Sequence, residues 1–114
     1  MHNQFTYPDE LALLEYFASE PTDRVPNDGY WLYEVTDKRG ITLRFSFNTH
    51  EHSVQTVLLL SGEIIETVCH EGAEALTIDG KNLNCIFKFE DSKALLVIKL
   101  EPYITISWST LRTR

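Results

Sequence analysis

Ile41-Thr42-Leu43-Arg44-Phe45-Ser46-Phe47 alternates apolar and polar residues without a break. A period of two sends the odd positions to one face of a pleated strand and the even ones to the other. Working outward, the same texture runs from Tyr30 to Trp108, interrupted only by short turn signals. Upstream, Tyr30-Trp31-Leu32-Tyr33-Glu34-Val35 leads through Thr36-Asp37-Lys38-Arg39-Gly40 into the quoted strand. Downstream, the polar Asn48 to Ser53 segment precedes a run over 54–60. Ser61-Gly62 then reads as a two-residue turn, and a return strand covers 63–69. Asp79-Gly80 is a further hairpin signal, Asp91-Ser92-Lys93 marks another turn, and Pro102 breaks the strand before Tyr103 to Trp108. Short connections imply antiparallel neighbours.

One helix is expected ahead of the sheet, over 6–19. Thr6 offers a cap, Pro8 suits the first turn, and Asp9 and Glu10 favour the positive end of the helix dipole. Leu11, Leu14 and Ala18, with Leu13 and Phe17, form its apolar stripe. Pro21 and Pro26-Asn27-Asp28-Gly29 end it in a loop. The expected fold is therefore α+β: a single domain over 1–114, mainly an antiparallel β meander over 30–109, bent or two-layered, with one N-terminal helix packed on it. With Ser61-Gly62 as the turn, Leu59 pairs with Ile64, Leu58 with Ile65 and Val57 with Glu66. Apolar residues then point both ways, so both faces of these strands are expected to be covered, by the N-terminal helix on one side and by a second sheet layer or a partner on the other.

The chain has 114 residues, 43% of them hydrophobic, enough to close a core without disulfides or a structural metal. No apolar run approaches the ~18–20 residues that cross a bilayer. Met1-His2-Asn3-Gln4-Phe5 lacks the basic start and apolar core of a secretory signal, so the expected location is cytoplasmic. Cys69 and Cys85 both sit in apolar strand-like runs and are expected to be buried free thiols.

Seventeen acidic against ten basic residues give a formal net charge of −7. That balance argues against nucleic acid, whose phosphates call for Lys and Arg, and against an anionic membrane surface. It suits a basic protein partner, since complementary potentials speed encounter.

Catalytic signals are absent from the sequence. There is no Gly-x-Ser-x-Gly elbow, GxGxxG or Walker-type loop, and Cys69 and His70, adjacent on a strand, would point to opposite faces. No enzymatic activity is expected. His50-Glu51-His52, with His70 downstream, is the nearest approach to a metal set. These are read as turn histidines, so no metal or cofactor is expected. A small β-domain binding a metal or ligand through this loop remains the alternative, as does a homo-oligomeric module built on strands 54–60 and 63–69. The candidate partner-binding residues are the carboxylates Glu63, Glu66, Glu71, Glu74, Glu90 and Asp91, with Tyr30 and Trp31 as aromatic anchors.

A resemblance gives this reading a setting. Tyr30-Trp31-Leu32-Tyr33-Glu34-Val35, Leu43-Arg44-Phe45-Ser46-Phe47-Asn48, Ser53-Val54-Gln55-Thr56, His70-Glu71-Gly72 and Ile104-Thr105-Ile106-Ser107-Trp108-Ser109 resemble small bacterial immunity proteins of contact-dependent inhibition and related polymorphic toxin systems. The resemblance spans most of the chain and rests on strand texture. It implies a cytoplasmic, non-enzymatic protein that neutralises a cognate toxin domain by tight binding. Many such toxins are nucleases with basic clefts, which fits the charge.

Overall fold

A computed structural model describes residues 4–112, with one α-helix and nine strands in two antiparallel sheets. The elements are α1 (Glu10–Phe17), β1 (Asp23–Val25), β2 (Tyr30–Thr36), β3 (Ile41–Asn48), β4 (Ser53–Leu60) and β5 (Glu63–Glu71). They continue with β6 (Ala73–Asp79), β7 (Asn82–Phe89), β8 (Ser92–Lys99) and β9 (Thr105–Arg112). Strands β1 to β5 form the first sheet and β6 to β9 the second, each in chain order. The two-layered α+β meander expected from the sequence is what forms.

The alternation over 41–47 holds. Leu43, Phe45 and Phe47 face inward with Trp31 and Tyr33 of β2 and Val54 of β4. From the second sheet come Leu76, Leu83, Cys85, Phe87, Ala94, Leu96 and Ile98, and the two sets form one apolar core with Phe5, Leu13 and Phe17. Phe17 stacks on Tyr33 with ring centroids 4.5 Å apart, while the Tyr16 hydroxyl reaches the Lys81 and Ile98 carbonyls at 2.9 and 3.1 Å. The helix thus ties the first sheet to the second.

That helix is shorter than the 6–19 expected. Asp9, not Thr6, caps it: its carboxylate accepts from the Ala12 N–H at 2.8 Å. Thr6 is engaged elsewhere, as a one-residue parallel bridge to Ala75; its N–H donates to Glu74 O at 3.0 Å and its carbonyl accepts from Leu76 N–H at 2.8 Å. A segment bonded to a sheet edge cannot also turn into a helix. The chain leaves α1 at Ala18, in the left-handed region with φ 57°. Its buried stripe is Leu13 and Phe17, and Leu11 is solvent-exposed. The loop after it holds strand β1 and a 3-10 turn over Pro26–Asp28, so sheet structure begins before residue 30.

Turn positions differ by about a residue from the sequence reading. Ser61 and Gly62, both with positive φ, form the β4–β5 turn as expected. Asp79, however, pairs with Asn82, leaving Gly80 and Lys81 as the turn, and Phe89 pairs with Ser92, leaving Glu90 and Asp91. In the β4–β5 hairpin, Leu59 faces Ile64 as expected. A bulge at Ile65 then moves Glu66 opposite Leu58 and Thr67 opposite Val57.

Among the described residues, one face of β5, the edge strand of its sheet, carries no covering layer, which leaves a partner as the cover the sequence expectation allowed. Ile64 and Ile65 are 64% and 55% exposed. Edge position also corrects Cys69, which is exposed on β5, whereas Cys85 is buried in the core and its thiol is pushed up to about 12 by burial. No helix among the described residues is long and apolar enough to cross a membrane. Residues 1–3 of the segment read for a secretory signal lie outside the described residues.

Candidate partner-binding surface

The chain passes from the first sheet to the second at Gly72, between the last residue of β5 and the first of β6. Gly72 has φ +85°, and a side chain there would begin 2.9 Å from the Lys88 carbonyl. Lys88 N–H donates to Gly72 O at 2.9 Å, and Ala73 N–H donates to His52 O at 2.9 Å. Only glycine fits a corner with that φ and so close a neighbouring backbone. The corner presents Glu71 on one side and Glu74 on the other.

Register brings two more of the expected carboxylates to this end. Since Lys88 lies against Gly72 and β7 ends one residue later, the Glu90–Asp91 turn projects just past the corner. Glu71, Glu90 and Asp91 are exposed and Glu74 is half-buried. The β3–β4 turn adds Glu51, which the sequence places in the histidine loop and not among the partner-binding carboxylates. Ser53 pairs with Glu71, and Asn48 Oδ1 accepts from the His50 and Glu51 N–H groups at 2.9 Å, fixing that turn. Lys88 and Lys93, a cross-strand pair on β7 and β8, put positive charge beside this acidic end.

The other two carboxylates lie elsewhere. Glu63 sits at the opposite end of β5, roughly 25 Å along the strand from Glu71. Glu66 faces the interior: the bulge turns it inward, where it accepts from the Thr56 hydroxyl at 3.2 Å. Burial raises the Glu66 carboxyl above its ordinary value, and the Thr56 hydrogen bond only partly offsets that.

Alternation separates the two aromatic anchors. Tyr30 lies on the outer face of the first sheet, in one cross-strand row with Asn48, Ser53 and Glu71, so Tyr30 and Glu71 share a face roughly 14 Å apart. Trp31 points the other way, 8% exposed and stacked on Phe47 at 5.5 Å. It is a packing residue, and the apolar Phe47 directly across the strand pair is the signal for it.

The histidines do not assemble. His52 lies 6.1 Å from the Phe5 ring, and His70 packs inward between the sheets, 4.6 Å from Phe87 and 5.7 Å from Trp108. Among the described residues no three His, Cys, Asp or Glu side chains are placed to hold a metal ion.

No protein-family model matches this sequence, and no curated protein does. Among solved structures, the fold is similar to a chain of the contact-dependent growth inhibition toxin–immunity protein complex from Klebsiella pneumoniae 342. The TM-score is 0.86 at 23% sequence identity, over 96% of this chain and all of the other. The two chains share a fold along essentially their whole length.

Proposed function

We propose that this protein is an immunity protein that binds and neutralises a cognate toxin domain. The observation that carries the reading is the whole-length likeness in fold to a chain of a toxin–immunity complex. Of the two roles in such a complex, the inhibitory one suits a chain of net charge −7 whose carboxylates gather at one rigid end. It works by occupying a surface and turns over no substrate, inside the cytoplasm.

The contact surface is the acidic corner. Glu71, Glu74, Glu90 and Asp91, with Glu51 beside them and Tyr30 across the same sheet face, offer carboxylates to a basic toxin, a nuclease by preference. They stand where nucleic-acid phosphates would otherwise lie. Sheet hydrogen bonds hold the corner and its turns in place before binding, so little ordering cost falls on association.

Self-association through the β5 edge is the weaker reading. A bulge at Ile65 and an inward carboxylate at Glu66 are both devices that discourage edge-to-edge pairing.

The test is co-expression with the toxin domain encoded immediately upstream. Cells arrested by that domain should resume growth when this chain is present. Reversing Glu71, Glu74, Glu90 and Asp91 together should lower the association rate by about tenfold or more and abolish protection, with the fold intact. Undiminished protection by that variant would remove the acidic corner from the interface. Failure of the wild-type chain to bind the domain would remove the immunity reading itself.

A further inference from the structure

At the end of the molecule opposite the acidic corner, a cavity of about 380 Å³ opens between the last turn of α1, the end of β2, the β6–β7 turn and the loop after β8. Its volume falls within the range of ordinary ligand pockets, at roughly 300–1,000 Å³. Phe17, Val35, Leu100 and Ile104 supply apolar lining. Glu15 and Glu101, both exposed, line it too, and neither makes a hydrogen bond or ion pair with any described residue. Lys81 is the one cation among the lining residues.

Three further features give the cavity a preference. The last turn of α1 ends here with carbonyl groups that lack intrahelical partners and with no basic residue of its own in that turn. The residue that closes it, Ala18, adopts φ 57° although it is not glycine, a left-handed conformation that residues with a side chain rarely take. The adjoining wall already holds a guanidinium. Arg39 donates to the Ile104 carbonyl at 2.7 Å and to Asp37 Oδ2 at 2.9 Å, with its Cζ 4.8 Å from the Tyr103 ring centroid. The cavity repeats those three kinds of group: free carboxylates, helix-end carbonyls and an aromatic side chain in Tyr16. The Tyr16 hydroxyl bonds to Lys81 and Ile98 fix helix, turn and strand together, so the space exists before anything enters it.

We propose that this cavity receives a long basic side chain, arginine in preference to lysine, from the partner protein. The proposal rests on the immunity reading for the identity of the partner, and it adds a second contact region remote from the acidic corner. The aliphatic stem lies on Phe17, Val35 and Leu100, and the cationic head meets Glu15, Glu101 and the end of α1.

The probe is a capped Ala-Arg-Ala tripeptide, titrated into the full-length protein and followed by the backbone amide NMR shifts of Ala18, Lys81 and Leu100. Saturable shifts at these three amides are expected, with Ala-Gln-Ala at least about tenfold weaker because two rim ion pairs are missing. The double variant Glu15→Gln, Glu101→Gln changes two exposed side chains. It should keep the wild-type Tm and lose that preference. Equal response to both tripeptides, or an arginine response confined to Glu71, Glu74 and Glu90, would overturn the proposal. A cavity that selects arginine in a protein that binds no toxin domain would sink the immunity reading and leave the site standing. Full protection by Glu15→Lys, Glu101→Lys would do the reverse.

Discussion

Lys88 holds Gly72 from two sides: its N–H donates to the Gly72 carbonyl at 2.9 Å, and its own carbonyl lies 2.9 Å from where a Cβ at position 72 would begin. Gly72→Ala therefore meets both a left-handed φ and a backbone collision. The substitution should cost about 2–4 kcal/mol in urea denaturation. It should also lower affinity for the partner, because the corner carries Glu71 and Glu74. An alanine variant of wild-type stability would show that the corner relaxes freely.

Asp37 anchors the loop between β2 and β3. Its side chain, 3% exposed, accepts from the Arg39 and Ile41 N–H groups at 2.8 and 3.1 Å and from Ile104 N–H at 3.0 Å. Burial alone would raise its pKa. The hydrogen bonds, led by that from Ile104 and joined by the Arg39 side chain, outweigh it and hold the group at about 2. A depressed pKa stabilises the fold above the ordinary value of 3.8, and that contribution fades as pH falls towards about 2. Asp37→Asn turns an acceptor into a donor facing donors. It should lower the Tm by several degrees at pH 7, with the gap to wild type narrowing near pH 2.

Glu66 has the opposite sign. Its carboxyl keeps its proton to higher pH in the fold than in the unfolded chain, so stability falls as pH rises between the two values and stays reduced at neutrality. Glu66→Gln keeps an acceptor for Thr56 without the charge. The variant should melt a few degrees higher than wild type at pH 7 and coincide with it below about pH 4. A lower Tm at neutral pH would mean the charge stabilises the fold.

Tyr33 is 1% exposed, and its hydroxyl finds no hydrogen-bond partner among the described residues. Burial first, then the charge of Glu10, pushes it up to about 12. Tyr33→Phe leaves the stacking on Phe17 in place and removes the unpaired group. A gain of about 0.5–1 kcal/mol is expected in chemical denaturation, and a loss would reveal a partner for the hydroxyl.

What local sequence determines was legible. The 41–47 alternation set the inner face of β3, and Ser61-Gly62 carried its positive φ values in its composition. Contacts made far along the chain were not. Thr6 reads as a helix cap until β6, some seventy residues later, offers its edge, and nothing in Glu63-Ile64-Ile65-Glu66 marks where the bulge falls. That bulge decides which carboxylates face outward, so the acidic set could be named but not sorted. Glu71, Glu74, Glu90 and Asp91 converge only through the turn at Gly72, Glu63 stays remote, and Glu66 points inward. Trp31 was readable in retrospect, since it must lie on the face opposite Tyr30.

The bridge between Thr6 and Ala75 also has a place in time. A growing chain emerges from its N-terminal end, so the first described residues leave the ribosome long before the edge they dock on has been made. Through that interval the first sheet has strands but no lid, and Phe5 has no second layer to bury against. Synthesis past Leu76 lets the strap close, so a segment translated ahead of both sheets is one of the last to find its seat.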